Sequence, residues 1–212
     1  MSLSEKLQSY REESLSKKNE EDKSIMLETA ENLRKLEIEK NALKEGDKIP
    51  AFKLKNAIGE TIKIYDVLSK GPIIINFYRG AWCPYCNLEI AAYQEVLPEI
   101  KKRGAHLVAI SPELPDITMT LKEKHALEFE ILSDTDNMVA KEFGLVFKLE
   151  DKLVALYKKM GIDLVVSQGN RNSELPIPAT YVVDTNGIIK LSYLNSDYTK
   201  RLEPMDAINA LD

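Results

Sequence analysis

The 212-residue chain reads as an α/β fold, a central mixed β-sheet flanked by helices, with a helical N-terminal extension. Three observations predict it. Residues 73–78, Ile-Ile-Ile-Asn-Phe-Tyr, form a short apolar run rich in β-branched and aromatic residues, the pattern of a buried strand. Residues 87–102 have helical composition and spacing, and 105–110 form the next apolar run. Strand, helix, strand at this spacing is a βαβ unit, so its strands are parallel and its crossover right-handed. Residues 180–184 and 188–193 alternate and are joined by Asp184-Thr185-Asn186-Gly187, and Asn-Gly between two such runs signals a hairpin. Parallel and antiparallel pairing together make the sheet mixed.

Each element follows in order. Residues 1–45 are rich in Glu, Lys, Ser and Leu and hold neither Gly nor Pro. They read as two helices broken near 17–22, with Gly46 as the C-cap of the second. Leu3, Leu7 and Tyr10 make one apolar stripe; Met26, Leu33, Leu36 and Leu43 make another near heptad spacing. A stripe this short falls below the three to four heptads that argue for a coiled coil. Folding back on the domain is therefore preferred over a homodimer arm, and residues 46–212 are expected to form the domain itself. Residues 51–55 and 61–64 predict a small hairpin, and Gly71-Pro72 punctuates before the central strand. Ser111-Pro112 ends the 105–110 strand at the edge that carries the cysteines, with Glu113 and Asp116 nearby as solvated loop acids. A helix over 117–127, a strand over 129–132 and a helix over 137–143 follow, the last with N-cap candidates at 133–136 and a stop at Gly144. A helix over 149–160 belongs to an insertion that covers the site or shapes its pocket. The loop at 169–173 is polar, its Arg171 is read as a solvated charge, and 203–211 closes the chain as a helix.

Hydrophobic content of 44% suffices for a core, and charged residues make up 30%. A net charge of −5 gives no hint of nucleic-acid binding. The start has no apolar signal core and no stretch is long enough to cross a membrane, so a cytoplasmic location is the expectation.

The chemistry centres on Cys83-Pro84-Tyr85-Cys86, which holds both cysteines of the chain where a strand hands over to a helix. With Cys83 as N-cap, Pro84 falls at N1, where its missing N–H costs nothing, and Cys86 at N3. Both sulfurs then lie near unsatisfied N–H groups and the positive end of the helix dipole, which favours thiolate over thiol. Residues three apart share a helix face, so a disulfide can close across one turn. A zinc site needs four ligands, and only His106 and His125 remain to supply them. Redox chemistry is preferred over zinc or inert thiols; no metal and no cofactor is expected.

Strand, Trp-Cys-x-x-Cys, helix resembles the thioredoxin active site, and Cys-Pro-Tyr-Cys is the glutaredoxin tetrapeptide. From about Gly46 to the C-terminus the chain resembles the peroxiredoxins of the alkyl hydroperoxide reductase/thiol-specific antioxidant superfamily. Gly46-Asp47-Lys48-Ile49-Pro50-Ala51-Phe52, Asn76-Phe77-Tyr78, Cys86-Asn87-Leu88-Glu89 and Leu132-Ser133-Asp134 carry that resemblance. So do residues 175–184 and 197–204, which are similar to a peroxiredoxin-like group with Cys-x-x-Cys. It implies a thioredoxin-like fold. It also implies a peroxide-attacking cysteine at Cys86, in the family pattern Pro-x-x-x-Thr-x-x-Cys. Here Cys83 stands at the Thr position and Arg79 at the Pro position. Where the family has an arginine before a late strand, the chain has Pro178, and Ile177-Pro178-Ala179-Thr180 resembles the cis-proline loop of thioredoxins. That likeness implies a cis Ile177–Pro178 bond and an Ile177 backbone beside Cys83.

Two activities follow. A thiol peroxidase would reduce hydrogen peroxide or organic hydroperoxides through Cys86, or Cys83, with the neighbour resolving the sulfenic acid and a thioredoxin-type or glutathione system resetting the disulfide. A thiol–disulfide oxidoreductase would use Cys83 as nucleophile and Cys86 as resolver. A third reading is a non-catalytic redox sensor. Supporting roles fall to Arg79 as a substitute positive charge, to Trp82 and Tyr85 flanking the sulfurs, to Glu89, and to Ile177, Pro178 and Thr180.

Overall fold

The computed structural model describes residues 1–211. In chain order its elements are α1 (Leu3–Ser16), α2 (Glu20–Lys35), α3 (Ile38–Asn41), β1 (Lys53–Asn56), β2 (Thr61–Lys63), α4 (Ile64–Leu68), β3 (Ile73–Phe77) and α5 (Pro84–Lys102). Then come β4 (His106–Ser111), α6 (Pro115–Lys124), β5 (Glu130–Ser133), a 3-10 turn (Thr135–Asn137), α7 (Met138–Glu142), β6 (Val146–Lys148) and α8 (Asp151–Lys159). The chain closes with α9 (Leu164–Gln168), β7 (Glu174–Pro176), β8 (Ala179–Val183), β9 (Ile189–Leu194) and α10 (Pro204–Asn209).

The main sheet runs β2-β1-β5-β4-β3-β8-β9. Strand β3 pairs parallel with β4 and antiparallel with β8, so the βαβ unit and the terminal hairpin meet on one strand. The sheet is mixed and the fold is thioredoxin-like. Side chains alternate across a strand, and the two faces of β3 go to different layers. Ile73, Ile75 and Phe77 pack with Ile64, Leu68 and Phe143 on the α4/α7 side. Ile74 packs with Ile90, Tyr93 and Leu97 of α5 and with Leu3 and Leu7 of α1 on the other. Asn76 shares the Ile74 face by the same period and stands opposite Thr180 of β8. A polar side chain is thereby delivered under α5, beside the cysteines.

The N-terminal helices lie on the domain. Leu3 and Leu7 enter the α5 core, Leu33 packs with Ile38 and Ile177, and α2 runs against α8. The side chains of the proposed dimer stripe are thus partly spent within the chain, although Leu36 stays exposed. Two boundaries differ from the sequence reading. The second helix ends at Lys35, well before Gly46, because Glu37 takes a left-handed conformation (φ 50°) and a separate turn, α3, follows. The 146–176 region also folds more than its sequence predicts: α9 forms, and β6 and β7 pair as a separate small sheet. Strands of three residues give too little alternation to read.

Candidate active site

Strand β3 ends at Phe77 and the backbone turns through Gly80 into α5. Gly80 has φ +150°, and a Cβ there would lie 2.4 Å from Trp82 Nε1 and 2.8 Å from Glu113 Oε1. Only glycine lets the turn pass between these groups. Cys83 caps α5 in an extended conformation and donates its backbone N–H to the Gly80 carbonyl at 3.0 Å; Pro84 is N1 and Cys86 N3. The sulfurs sit close together, unoxidised, and both cysteines are buried, at 1% and 0% exposure.

Two buried arginines flank them. Arg79 is sandwiched by rings, its guanidinium carbon 4.4 Å from the Tyr198 ring centre, 5.0 Å from Trp82 and 5.5 Å from Tyr157, and it donates to the Tyr157 hydroxyl. Arg201 places Nη2 3.6 Å from Cys86 Sγ and donates from Nε to Glu89 at 2.7 Å. Glu89 also accepts from Asn76 Nδ2 at 2.9 Å, and Asn76 donates to Thr180 Oγ1 at 3.2 Å. This network links β3, β8, α5 and the C-terminal loop beneath the sulfurs.

The two thiols are driven apart. Burial opposes charge on both. At Cys83 the adjacent Cys86 thiol, then Arg79, then Arg201 more than offset that cost and hold the pKa well below an ordinary thiol. At Cys86 burial and then the neighbouring Cys83 push it well above. Of the two sulfurs, negative charge is favoured on Cys83 and disfavoured on Cys86. The open space agrees: a pocket of about 280 Å³ is lined by Cys83 with Arg79, Trp82 and Tyr157, whereas Cys86 does not reach it. Its other wall comes from the N-terminal helices, including Tyr10, Leu15, Met26 and Leu27.

The remaining candidates fall in different places. Trp82 stacks on Tyr157 at 5.3 Å, and Tyr85 meets Tyr10 edge-on at 5.1 Å and Tyr198 at 5.8 Å. Pro84 is exposed at the pocket rim. The Ile177–Pro178 bond is trans, since the described residues hold no cis peptide, which corrects the cis-proline expectation. Ile177 instead donates its N–H to the Leu145 carbonyl at 2.9 Å and packs against Leu33 and Ile38, contacts that fix the loop with an ordinary peptide. Among the described residues no cluster of His, Cys, Asp and Glu is arranged to hold a metal.

Sequence reasoning missed four participants. Arg201 lies 115 residues along the chain from Cys86, and Tyr157 lies 78 from Arg79. Tyr198 is as remote from the arginine it covers, so local spacing carries no trace of any of the three. Glu113, expected to be solvated, is 1% exposed and accepts the Ala81 N–H at 2.7 Å; burial raises its pKa to about 7. Its one legible signal is its place just after the β4 edge.

The model of the AhpC/TSA family matches residues 45–192. The chain belongs to the AhpC/TSA family. Among similar proteins, the putative peroxiredoxin bcp of Buchnera aphidicola is 36% identical over 103 residues, 49% of this chain and 65% of its own. The chloroplastic peroxiredoxin Q of Suaeda salsa is 28% identical over 151 residues, 71% of this chain and 60% of its own. The chain thus spans under two thirds of the length of these family relatives. Among solved structures, peroxidoxin BcpB of Mycobacterium tuberculosis superimposes with a TM-score of 0.63 at 22% identity, covering 80% of this chain and 96% of that one. A cysteine-to-serine mutant of Xylella fastidiosa PrxQ gives 0.63 at 14% identity, covering 80% and 95%. These two matches show that this AhpC/TSA member has the thioredoxin-like fold.

Proposed function

We propose that the chain is a thiol peroxidase in which Cys83 attacks and Cys86 resolves. The observation that carries this is that the sulfur lining the pocket, Cys83, is also the one whose charge the Cys86 thiol, then Arg79 and then Arg201 favour. Family membership and the peroxiredoxin names of the relatives support the peroxide as substrate. The sequence resemblance implies attack by Cys86 instead; the pocket favours Cys83, because a peroxide must meet the sulfur end-on, and Cys86, packed against Arg201 and outside the pocket lining, is fully buried.

The steps balance. The Cys83 thiolate attacks one peroxide oxygen, the O–O bond breaks, and the leaving alkoxide or hydroxide takes a proton. Cys83 is then a sulfenic acid. The Cys86 thiol loses its proton and attacks Cys83 Sγ, expelling water and forming the Cys83–Cys86 disulfide. No unfolding of α5 is needed, because N-cap and N3 side chains share one turn. Two thiol equivalents return the pair to its reduced form.

A second reading draws on the same geometry: a pocket-facing first cysteine and an enclosed second one also suit a thiol–disulfide oxidoreductase. Stopped-flow mixing with hydrogen peroxide, read by Trp82 fluorescence, separates them. Fast oxidation lost in Cys83→Ser, and retained for one turnover without a disulfide in Cys86→Ser, supports the peroxidase. Oxidation no faster than that of a free thiol rejects it, and retention in Cys83→Ser with loss in Cys86→Ser reverses the roles.

A further inference from the structure

The reading above leaves the reductant unnamed, and the walls of the pocket bear on it. Cys83 is 1% exposed, and one wall of the pocket it lines comes from α1, α2 and the turn joining them. Those helices are fixed at several points. The Glu203 carboxylate accepts the Leu3 and Ser4 N–H groups at 3.1 and 2.7 Å. Leu3 and Leu7 are each 3% exposed, Asn32 donates to Glu150 at 2.7 Å, and Lys159 reaches Asp22 at 3.0 Å. A protein dithiol must bring its own sulfur to about 2 Å from Cys83 to exchange, with surrounding backbone. The helices form one wall of the pocket through which that sulfur would approach.

The pocket also has an unsatisfied cationic character. Arg11 is neutralised by Asp197 at 3.1 Å, but Lys18 meets only the Ser14 hydroxyl, at 3.3 Å, and has no acidic partner among the described residues. Arg79 is 3% exposed, lines the pocket, and carries an Nε–H with no acceptor. Oxidation to the disulfide removes the thiolate charge that faces Arg79. A neighbouring cleft of about 500 Å³, which shares Arg11, Leu15 and Thr199 with the pocket, adds Lys200 and Arg201 against the single carboxylate of Glu12.

We infer that the pocket takes a low-molecular-weight thiol bearing carboxylates as the reductant of the Cys83–Cys86 disulfide, and that α1 and α2 exclude protein dithiols. This rests on the Cys83–Cys86 cycle proposed above. The incoming thiolate attacks Cys83 Sγ; the Cys83–Cys86 bond breaks and its electron pair leaves on Cys86, which takes up a proton. A second thiolate attacks the small thiol's sulfur in the mixed disulfide, the product leaves as the symmetrical disulfide, and Cys83 is a thiolate again. Two thiols are oxidised and one disulfide is reduced.

The test uses the full chain oxidised with diamide, so that it does not depend on peroxide. Trp82 fluorescence follows reduction by glutathione, by uncharged 2-mercaptoethanol and by a thioredoxin-type protein. Lys18→Glu is expected to slow glutathione about fivefold to tenfold, the size of a partly screened charge reversal, and to leave 2-mercaptoethanol within about twofold; Lys18→Arg restores the glutathione rate. The protein dithiol is expected to act no faster than glutathione. The inference is overturned if Lys18→Glu changes neither rate or both alike, if the protein dithiol is about tenfold faster, or if diamide forms no Cys83–Cys86 disulfide. Peroxide oxidation of the reduced chain, measured separately, decides the peroxidase reading on its own.

Discussion

The two flanks of the dithiol are built on opposite principles. On the Cys86 flank Arg201 is locked into an ion pair with Glu89 at 2.7 Å, inside a hydrogen-bonded set with Asn76 and Thr180; none of these lines the Cys83 pocket, and Arg201 alone of them reaches the neighbouring cleft. On the Cys83 flank Arg79 has no carboxylate partner among the described residues and is held by three aromatic rings beside open space. Arg201 is paired with Glu89 and acts on Cys83 after Arg79 does. Arg79 faces the sulfur without a carboxylate partner, and cation–π contact holds it in place without cancelling its charge. The difference explains how one turn of helix carries two sulfurs of unlike character.

The largest effect is expected on the closed flank. Arg201→Met leaves Glu89 buried with only Asn76 to face it, and removing one member of a buried pair costs about 3–5 kcal/mol. Denaturant unfolding should show that loss, and Glu89→Leu added to Arg201→Met should recover much of it. A cost below about 1 kcal/mol for Arg201→Met alone would mean that the pair is not the structural element described.

Much of this architecture can be read from the chain. The βαβ unit, the Asn-Gly hairpin and the helix start at Cys83-Pro84 are local patterns, and residues adjacent in sequence fix each of them. The halves of the site differ in the same way. Cys83, Cys86, Arg79, Trp82 and Glu89 fall within one short stretch, so spacing brings them into view together. Arg201, Tyr198, Tyr157 and Glu113 arrive by tertiary packing, and a charged or aromatic residue in a distant loop carries no mark of its destination. The left-handed Glu37 and the trans Ile177–Pro178 bond are of that kind too, since backbone choices there answer to neighbours such as Ile38 and Leu145.

Glu113 sharpens the comparison: burial raises the pKa of both it and Glu89 to about 7, but Glu89 has Arg201 beside it and Glu113 has no cation among the described residues. Burial raises its folded-state pKa from 4.5 to about 7. An acid whose pKa is raised on folding contributes stability that is fully present below its unfolded pKa and lost as pH rises through the folded one. Wild type should therefore lose stability relative to Glu113→Gln between about pH 4.5 and 7, by about 3 kcal/mol in all, and hold a constant difference above that range. Unfolding curves of the two proteins at several pH values check this. Parallel behaviour across that range would show that the carboxyl is ionised throughout, and that the loop around Gly80 holds a charge in place of a neutral acid.

The smallest effect is expected on the open flank, and it discriminates best between structure and chemistry. Arg79→Met keeps the bulk among Trp82, Tyr157 and Tyr198 but removes the positive charge facing Cys83. Its energetic support is mostly packing, so stability should change little compared with Arg201→Met. The Cys83 thiolate loses the charge that favours it most after the Cys86 thiol, and its pKa moves upward towards an ordinary thiol. At about pH 6.5 the reaction with hydrogen peroxide should slow about tenfold, equivalent to roughly 1.4 kcal/mol, and much of the rate should return as the pH is raised, because thiolate fraction is what was lost. A pH-independent loss would instead assign Arg79 to the transition state of O–O cleavage. A loss matched by that of Arg201→Met at every pH would mean that the two cations serve both sulfurs equally, and the division between a structural flank and a reactive one would fall.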